Sequence, residues 1–444
     1  MKRLVIYILA ALPAMGFAQT TLSVDDCIRL AKENNKQITA AEKQMQAYDY
    51  TLKSNKALFF PNISLSGSAL YSTADGGYAS GAGQLPVLDA TGAPTGQTAY
   101  FPGLSLNYSL DWIVSGGIKL EQPIYMGGKI RAGYKMSKLG KDISFQSHRL
   151  TESEVVVETC EAFANVVRAK EMTKVATAYN NLLEELLRNV EKAKSHGMKS
   201  QNDVLKVKVK LDEGKLNLRR AENAHTLAMM NLCHYIGIPL SEGIETDSVL
   251  PDFNADNSNN EIYNRPEYIM LDKKSDIAKS QVAMTRSEYL PNVGLMGQYS
   301  YVNGVDLNGS KLMNNWNFLV GVQVSIPLFD FGHRINKIRS AKAQYEQTLA
   351  EQEDTNEKMQ LEVAQSINNL DEAALELELA NSTVASAEEN LRTSRLQYEK
   401  GMELLSDYLE AQTIWQQSRQ TQIDAKVNRY LRWLQYQKAT GQIN

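Results

Sequence analysis

Two long stretches, both without proline and both helical in pattern, set the strongest limit on the fold of this 444-residue chain. The first runs from Gly128 to about His196, and the second from Gly332 to about Lys400. At a rise of 1.5 Å per residue, a helix of about 67 residues is roughly 100 Å long. A globular core does not accommodate such a helix, so the chain requires a supercoiled or bundled setting.

The second stretch carries a seven-residue apolar repeat, which indicates helices that pack side by side. Its large positions are Leu370, Leu377, Val384, Leu391 and Tyr398. Its small positions, which let helix backbones approach closely, are Ala373, Ala380, Ala387 and Ser394. Each long stretch is followed by a helical pattern of about half its length, from about Gln201 to Ile236 and from Leu404 to about Gln437. The chain is therefore predicted to contain two long helical hairpins.

The two hairpins belong to an internal duplication. Four pairs of proline or glycine residues lie 204 positions apart: Pro123 and Pro327, Gly128 and Gly332, Gly197 and Gly401, Gly237 and Gly441. Further upstream, Pro61-Asn62 matches Pro291-Asn292 at an offset of 230, so the first copy holds 26 additional residues (230 minus 204). The interval Ala74–Gly96 is rich in Gly, Ala, Thr and Pro, and it predicts an exposed loop without a packed core.

The N-terminus predicts a secretory signal peptide over residues 1–18. Lys2 and Arg3 precede the apolar segment Leu4–Leu12, and Gly16-Phe17-Ala18 offers a cleavage site with small residues. Beyond it, no apolar run is long enough for a transmembrane helix. The chain is therefore predicted to be exported and to cross no membrane as a helix.

The repeated order predicts the domain boundaries. Ser23, followed by two aspartates, predicts the start of the first helix. The first repeat is predicted at 19–236, with a helix at 23–54, strands at about 62–72 and 110–122, and a helical hairpin at 128–236. A linker rich in Pro, Asp, Asn and Ser is predicted at 237–264. The second repeat is predicted at 265–441, with a helix at 265–289, strands at about 292–302 and 316–327, and a helical hairpin at 332–441.

The four predicted strands alternate apolar and polar residues, which is typical of strands with one apolar face. In the last strand this face is formed by Phe318, Val320, Val322, Val324 and Ile326. Pro123 and Pro327 are predicted to end the two return strands. The strand length suits a tilted membrane strand, although a half-buried soluble sheet has the same pattern. A bilayer accepts only a closed barrel, and four strands cannot close, so the membrane interpretation predicts an oligomer.

Composition and motifs exclude several classes of function. The formal net charge of −4 gives no reason to expect nucleic-acid binding. The chain has no phosphate-binding loop, dinucleotide fingerprint, zinc-protease helix or nucleophile elbow, and its five histidines are scattered. Cys27, Cys160 and Cys233 are far apart and odd in number, so we expect buried apolar thiols and no disulfide framework. Catalytic residues, cofactors and metals are not predicted.

The ends of the two hairpins form a second duplicated feature. We call Lys192–Lys208 the first tip and Tyr398–Gln412 the second tip. Each contains a glycine followed six residues later by an aspartate, Asp203 in the first tip and Asp407 in the second. Lysines dominate in and beside the first tip, and acidic residues dominate the second. Opposite charges are predicted to help hold the tips together, although each exposed pair contributes only about 0–1 kcal/mol.

These features resemble the TolC family of outer-membrane efflux proteins. The residues that carry the resemblance are the second-tip segment YEKGMELLSDYLEAQ, the strand-ending PIYMGGKIR at Pro123–Arg131, and its copy PLFDFGHRI at Pro327–Ile335. ENNKQ at Glu33–Gln37 and NRPEY at Asn264–Tyr268 resemble the family's paired motifs, with Lys36 in place of the usual proline. The resemblance covers essentially the whole mature chain.

The resemblance implies a mainly α fold with a membrane β-barrel portion. Four strands from each chain of a homotrimer form a twelve-stranded barrel in the lipid of the Gram-negative outer membrane, above a hollow α-helical barrel with a long periplasmic part. Such channels dock onto a periplasmic adaptor and an inner-membrane pump, proton-driven or ATP-driven, and export small molecules or proteins. Two alternatives remain: a structural or adhesive coiled-coil envelope protein, and a periplasmic adaptor.

The resemblance also implies roles for individual tip residues. An iris-like periplasmic gate closes with acidic rings, to which Asp407 and Glu410 correspond, with Glu410 where an aspartate is common. Asp203, the duplicate of Asp407, and Glu403, which stands where some members have a latching arginine, are also expected to belong to the gate. Adaptor hairpins are expected to dock near Gly197 and Gly401, because a missing side chain permits close backbone approach.

Overall fold

The structure, a computed structural model, describes residues 21–247, 249–251, 253 and 261–443. The predicted signal peptide lies outside these residues, as do residues 248, 252 and 254–260 of the predicted linker. The chain divides into two compact units. One is drawn from the described parts of 1–47, 142–274 and 349–444, and the other from 48–141 and 275–348.

The elements follow one another in an order that shows the duplication. The first copy contains α1 (Val24–Asn34), α2 (Lys36–Ala57), β1 (Asn62–Tyr71), β2 (Asp75–Ala79), β3 (Gly83–Leu88), β4 (Pro94–Phe101), β5 (Ser105–Met126), α3 (Lys129–Ser195) and α4 (Gln201–Tyr235). The second contains α5 (Pro266–Arg286), β6 (Asn292–Leu307), β7 (Ser310–Ser325), α6 (His333–Glu399) and α7 (Leu405–Ala439). Helices α3 and α6 have 67 residues each, and α4 and α7 have 35 each.

The heptad pattern of α6 is confirmed as a buried seam. Leu370 and Val384 at the large positions are 2% and 4% exposed, and Ala373, Ala380 and Ala387 at the small positions are 2%, 4% and 3% exposed. The opposite face of α6 is exposed. Since most of the helix surface faces water, packing along this narrow stripe holds the long helix in place.

The three cysteines lie in the helical unit. Cys27 of α1, Cys160 of α3 and Cys233 of α4 are free and buried, and Cys27 and Cys160 belong to the cluster that contains Phe163, Leu232 and Tyr430. Burial raises the pKa of the Cys27 thiol to about 12. The expectation of buried apolar thiols is confirmed, and a group with such a pKa is a poor nucleophile.

The first helix of the first repeat is divided where the sequence predicts one helix over 23–54. Ser23 caps α1 as predicted, with a capping box to Asp26. Helix α1 ends at Asn34 because Asn35 is extended, with φ −68° and ψ 130°. The Asn35 side chain accepts a hydrogen bond from the Gln37 amide at 2.7 Å and so starts α2. The local capping ability of asparagine overrides the continuous helical pattern.

The main sheet of the other unit is antiparallel, in the order β1-β5-β6-β7, with β2 also paired to β5. The register runs from Asn62 opposite Glu121 to Tyr71 opposite Trp112 in the first pair. The four predicted strands are thus the four strands of this path. Among the described helices, none combines the length and apolar character that crossing a bilayer requires.

The interval Ala74–Gly96 is not the loop that its composition predicts. It supplies β2, β3, the turn to β4 and the first three residues of β4, and β3 and β4 form a separate two-stranded sheet. Asp89 fixes the turn between them, since its carboxylate accepts hydrogen bonds from the amides of Thr91 at 2.8 Å and Ala93 at 2.9 Å. Its glycines and prolines indicated a loop, whereas this aspartate-anchored turn permits a hairpin.

Pro123 does not end its strand as predicted, because β5 continues to Met126. The pairing with β6 shifts register between Pro123 and Tyr125. The residue without a partner is Ile124, whereas Pro123 stays in register opposite Gly294, so the strand continues past the proline through a bulge. Strand β7 does end before its proline, since Ser325 is its last residue and Pro327 follows.

Candidate functional site

The glycines of the two tips lie just after helices α3 and α6 and end them. Gly197 has φ 77° and Gly401 has φ 72°. The amides of Gly197 and Met198 donate to the carbonyls of Lys194 and Ala193, and the amides of Gly401 and Met402 donate to those of Tyr398 and Gln397. This pair of hydrogen bonds around a left-handed residue is the Schellman motif.

Within one chain, backbone conformation and not a close contact accounts for these glycines. They are not helical residues, and a Cβ atom built on either Gly197 or Gly401 meets no atom within 4 Å. The positive φ explains the glycine, because other residues reach that conformation at a cost. The expected docking of an adaptor near these glycines stays a prediction.

Asp203 is bound into the start of α4. Its carboxylate accepts hydrogen bonds from the Ser200 amide at 3.0 Å and the Ser200 hydroxyl at 2.9 Å. In return, the Asp203 amide donates to the Ser200 hydroxyl at 3.1 Å. These bonds, led by the one from the Ser200 backbone, lower the pKa of Asp203. The arrangement is a capping box, which gives this aspartate a structural role.

Asp407 occupies the same place in α7 without that role. The residue equivalent to Ser200 is Leu404, which forms no side-chain cap. The Asp407 carboxylate accepts instead from the hydroxyl of its neighbour Ser406 at 2.8 Å, and the residue is exposed. Glu410, one turn further along α7, is also exposed. The start of α7 therefore presents two acidic side chains to its surroundings.

Glu403, in the turn before α7, is only partly exposed. Its Oε2 atom is buried and, among the described residues, has no hydrogen-bond partner. A buried carboxylate oxygen without a donor carries a desolvation cost. This position therefore holds an unsatisfied acid where the family resemblance suggests a latching arginine.

The two tips are held together by aromatic and apolar contacts. Tyr398 stacks on Tyr408 with ring centres 5.2 Å apart, and Lys199 of the first tip lies 4.6 Å from the Tyr398 ring centre. Burial, together with the nearby Asp203 charge, raises the pKa of Tyr398. Beneath them, one buried cluster combines Leu183, Leu186, Val190, Val204 and Val207 of the first hairpin with Leu405, Tyr408 and Leu409 of the second.

The ion pair that joins the hairpins near the tips has the opposite polarity to the expected one. Arg395 of the second hairpin lies 2.9 Å from Glu185 of the first, and 3.0 Å from Glu399 of its own helix. Lys208 and Lys210 of the first hairpin pair instead with Glu191 and Glu213 of that same hairpin. The simple scheme of a basic tip against an acidic tip is therefore wrong for these pairs.

Two clefts open between the hairpins. The first, of about 680 Å³, is lined by charged and aromatic residues that include Glu185, Lys199, Arg395 and Tyr398. The second, of about 600 Å³, lies between the first turns of α4 and α7 and has an apolar floor of Leu205, Val209, Leu409 and Thr413, edged by Lys206, Lys210 and Glu410. Leu205 and Val209 are 51% and 58% exposed. We call this second cleft the tip groove.

Sequence reasoning identified the acidic residues but missed Ser200, Arg395 and the tip groove. The pattern Ser-x-x-Asp at Ser200–Asp203 is typical of a capping box and is recognisable from the amino-acid order alone. The Arg395 pair with Glu185 is not recognisable in this way, because the two residues lie on different helices and 210 positions apart. Leu205 and Val209 follow a helical spacing of four, which signals a lateral apolar stripe.

The chain thus combines long paired helices with an antiparallel sheet of exposed strands. The chain matches the family model "Outer membrane efflux protein" over residues 27–237 and 259–442, and it belongs to that family. The resemblance drawn from the sequence motifs is thereby confirmed. An outer-membrane efflux or secretion channel is the function class of this family.

Individual relatives are distant but extensive. The proteases secretion protein PrtF of Dickeya chrysanthemi is 21% identical over 100% of this chain and 93% of its own length. The alkaline protease secretion protein AprF of Pseudomonas aeruginosa is 21% identical over 66% of this chain, and the match spans 63% of AprF. The crystal structure of the Campylobacter jejuni CmeC outer membrane channel superposes with a TM-score of 0.76 at 18% identity, over 94% of this chain and 85% of CmeC.

Proposed function

We propose that the chain assembles as a homotrimer in the Gram-negative outer membrane and serves as the exit duct of a tripartite export system. The observation that carries this proposal is the exposed apolar face of β7: Phe318, Val320, Val322 and Val324 are 74%, 57%, 67% and 56% exposed. Strands β1 and β7 end the pairing path. Unpaired edges are not tolerated in lipid, so closure requires further copies, and three copies supply twelve strands.

A charge placed on this face tests the lipid-facing assignment. Val322→Asp is expected to abolish recovery of heat-modifiable trimers from outer-membrane extracts, because a charge on the lipid-facing side of a barrel strand is destabilising. The matched control is Gln323→Glu, which places the same charge on the neighbouring residue of the opposite strand face. Equal trimer yields from both variants contradict the lipid-facing assignment, and release of the wild-type protein with periplasmic contents contradicts the outer-membrane location.

The helical hairpins are proposed to form the periplasmic part of the duct, with its gate at the tips. Asp407 and Glu410 are the proposed constricting acids, because both are exposed and neither is needed for an observed capping box. We assign Asp203 to support of the first tip and Glu403 to the turn beside the gate. An acidic constriction favours cations.

Conductance of the reconstituted trimer tests the gate. Asp407→Asn is expected to reduce cation preference and block by multivalent cations, and Asp203→Asn is expected to change both much less. The comparison separates a ring charge from a capping charge at equivalent positions. Equal conductance effects of the two variants contradict the assignment of Asp407 to the constriction.

The tip groove is the proposed docking surface for partners. A periplasmic adaptor, linked to an inner-membrane pump, is expected to lay an apolar helix face into the tip groove over Leu205 and Val209. Leu205→Glu with Val209→Glu is expected to abolish export while trimers still form, whereas Leu216→Glu, a residue on the same helix that is 51% exposed and lies outside the groove, is the control. Export by the double variant at the wild-type level contradicts docking at this groove. Family membership favours this channel over a structural coiled-coil protein or an adaptor.

A further inference from the structure

In each repeat, the glycine after the second hairpin helix contacts the chain just before an earlier helix. That helix is α2 in the first repeat and α5 in the second, and we call each contact a joint. In the first repeat, Gly237 follows α4, and a Cβ atom on it lies 2.6 Å from the Asn34 carbonyl oxygen. In the second repeat, Gly441 follows α7, and a Cβ atom on it lies 3.1 Å from the Arg265 amide. Both glycines have positive φ. These contacts define a first joint and a second joint at duplicated positions.

The second joint is fastened by a buried guanidinium. Arg265, with 5% of its side chain exposed, donates to the Ala439 carbonyl at the end of α7 at 3.2 Å. The same guanidinium pairs with Glu362 of α6 at 2.7 Å and with Glu267 of α5 at 3.2 Å. Charge-assisted hydrogen bonds of this kind are about twice as strong as neutral ones. One side chain therefore ties three helices together.

The first joint retains the geometry but not the charge. Asn35 stands at the position of Arg265, and its amide donates to the Tyr235 carbonyl at 2.8 Å, where Tyr235 is the equivalent of Ala439. The equivalent of Glu362 is Glu158. Its Oε2 atom is buried and has no hydrogen-bond partner among the described residues. The first repeat thus keeps the acid at the equivalent position and lacks the guanidinium that pairs with it in the second.

We infer that the two joints are held with unequal strength, so that the first joint acts as a hinge and the second stays closed. Both helix ends pack against buried side chains, but their polar contacts differ: one neutral hydrogen bond reaches the end of α4, whereas a buried cation with two acidic partners reaches the end of α7. The end of α4 therefore separates from the start of α2 more readily than the end of α7 separates from the start of α5. This asymmetry belongs to the purified chain and is independent of the proposed export role.

Amide hydrogen exchange measures the difference in opening between the two joints, and the second joint is the reference within the same chain. The amides of Ile236, Gly237 and Ile238 are bonded in the first joint to the carbonyls of Leu232, His234 and Cys233. Their duplicates, the amides of Thr440, Gly441 and Gln442, are bonded to the carbonyls of Tyr436, Lys438 and Gln437. We expect residues 236–238 to exchange at least about tenfold faster than residues 440–442 in the detergent-purified protein. Equal exchange at the two sets overturns the inference.

Exchange of side chains between the joints tests the cause. Asn35→Arg supplies a guanidinium opposite Glu158 and is expected to slow exchange at 236–238 about tenfold without changing 440–442. Asn35→Met removes the same cap without adding charge, and Asn35→Arg combined with Glu158→Gln removes the acceptor, so neither is expected to slow it. Arg265→Asn is expected to accelerate 440–442 selectively. If Asn35→Arg exchanges as Asn35→Met does, the unpaired Glu158 is not the reason for the weaker joint.

Discussion

The helices that flank the first and second tips have equal lengths, and a glycine ends the long helix at each tip. The two tips nevertheless use their aspartates differently. At the first tip, Asp203 and Ser200 cap α4 reciprocally. At the second tip, Leu404 replaces the serine, and α7 begins without a side-chain cap. The second copy therefore has the acid at position 407 without the serine that gives its duplicate a structural use.

The difference separates folding from function at otherwise matched positions. Gly197 and Gly401 are both required by backbone conformation, since both have positive φ and neither has a close neighbour. Asp203 is explained by the helix that it caps. Asp407 has no such explanation, and an exposed acid at the start of a helix is available for a role in the passage of ions. Asp203 thus serves as an internal control for Asp407.

The largest predicted effect concerns what the two tips share. Gly401→Val is expected to lower the free energy of opening of the second tip by about 1–3 kcal/mol, because a β-branched residue is strained at positive φ. Gly401→Asn is expected to cost much less, since asparagine tolerates the left-handed region. Gly197→Val and Gly197→Asn are expected to give the same pair of results. Amide hydrogen exchange of Met198 and Met402 measures all four.

The same variants separate conformation from docking. If export requires only the backbone conformation, Gly401→Asn is expected to retain export and Gly401→Val to lose it. Loss of export in Gly401→Asn with normal protection of the Met402 amide indicates instead that a partner approaches the bare glycine. That outcome restores the docking role for which the structure of one chain gives no steric reason.

The second prediction concerns the different roles of Asp203 and Asp407. Asp203→Ala is expected to destabilise the first turn of α4 by about 1 kcal/mol, as loss of a helix cap does. Asp407→Ala is expected to leave the first turn of α7 within a few tenths of a kcal/mol, apart from a small loss of interaction with the helix dipole. Protection of the amides in the two first turns is the measurement. Similar losses in both turns contradict the distinction between a capping and an exposed acid.

Much of the fold follows from pattern in the sequence, because periodic signals extend over many residues. The heptad of α6 predicts its buried seam, and the 204-residue offset predicts helices of equal length. The misses are local. Asn35 divides a helix, β5 continues past Pro123 through a bulge at Ile124, and Asp89 anchors a hairpin within an interval rich in glycine. Each depends on one side chain and its hydrogen-bond partners, which periodicity does not report.

The site was predictable in position but not in chemistry. The acids of the tips are visible in the sequence, and so is the pattern from Ser200 to Asp203. The contact of Arg395 with Glu185 and the stacking of Tyr398 on Tyr408 require knowledge of which faces of α3, α6 and α7 meet. Contacts between distant helices are fixed by packing. A comparison of the charges of the two tips therefore predicted the wrong polarity for the ion pair between the hairpins.

The third prediction converts the second tip into the first. Leu404→Ser recreates the pattern Ser-x-x-Asp with Asp407 and is expected to stabilise the start of α7 by about 0.5–1 kcal/mol. Leu404 is 69% exposed, so its removal costs little packing. The new cap engages the Asp407 carboxylate and is therefore expected to weaken cation preference in the reconstituted channel. Leu404→Ala is the control, because it removes the same side chain without supplying a hydroxyl.

The smallest predicted effect is a pH dependence confined to the first tip. The hydrogen bonds from Ser200 lower the pKa of Asp203, the backbone bond most strongly. A carboxylate whose folded pKa lies below its unfolded value of about 3.9 stabilises the fold above that value, and the stabilisation is lost as the pH falls through the lower folded pKa. Protection of the first turn of α4 is therefore expected to decline below about pH 4 by a few tenths of a kcal/mol, since solvent screens a partly exposed carboxylate. In Asp203→Asn this decline is expected to disappear, so its persistence assigns the pH dependence to another group.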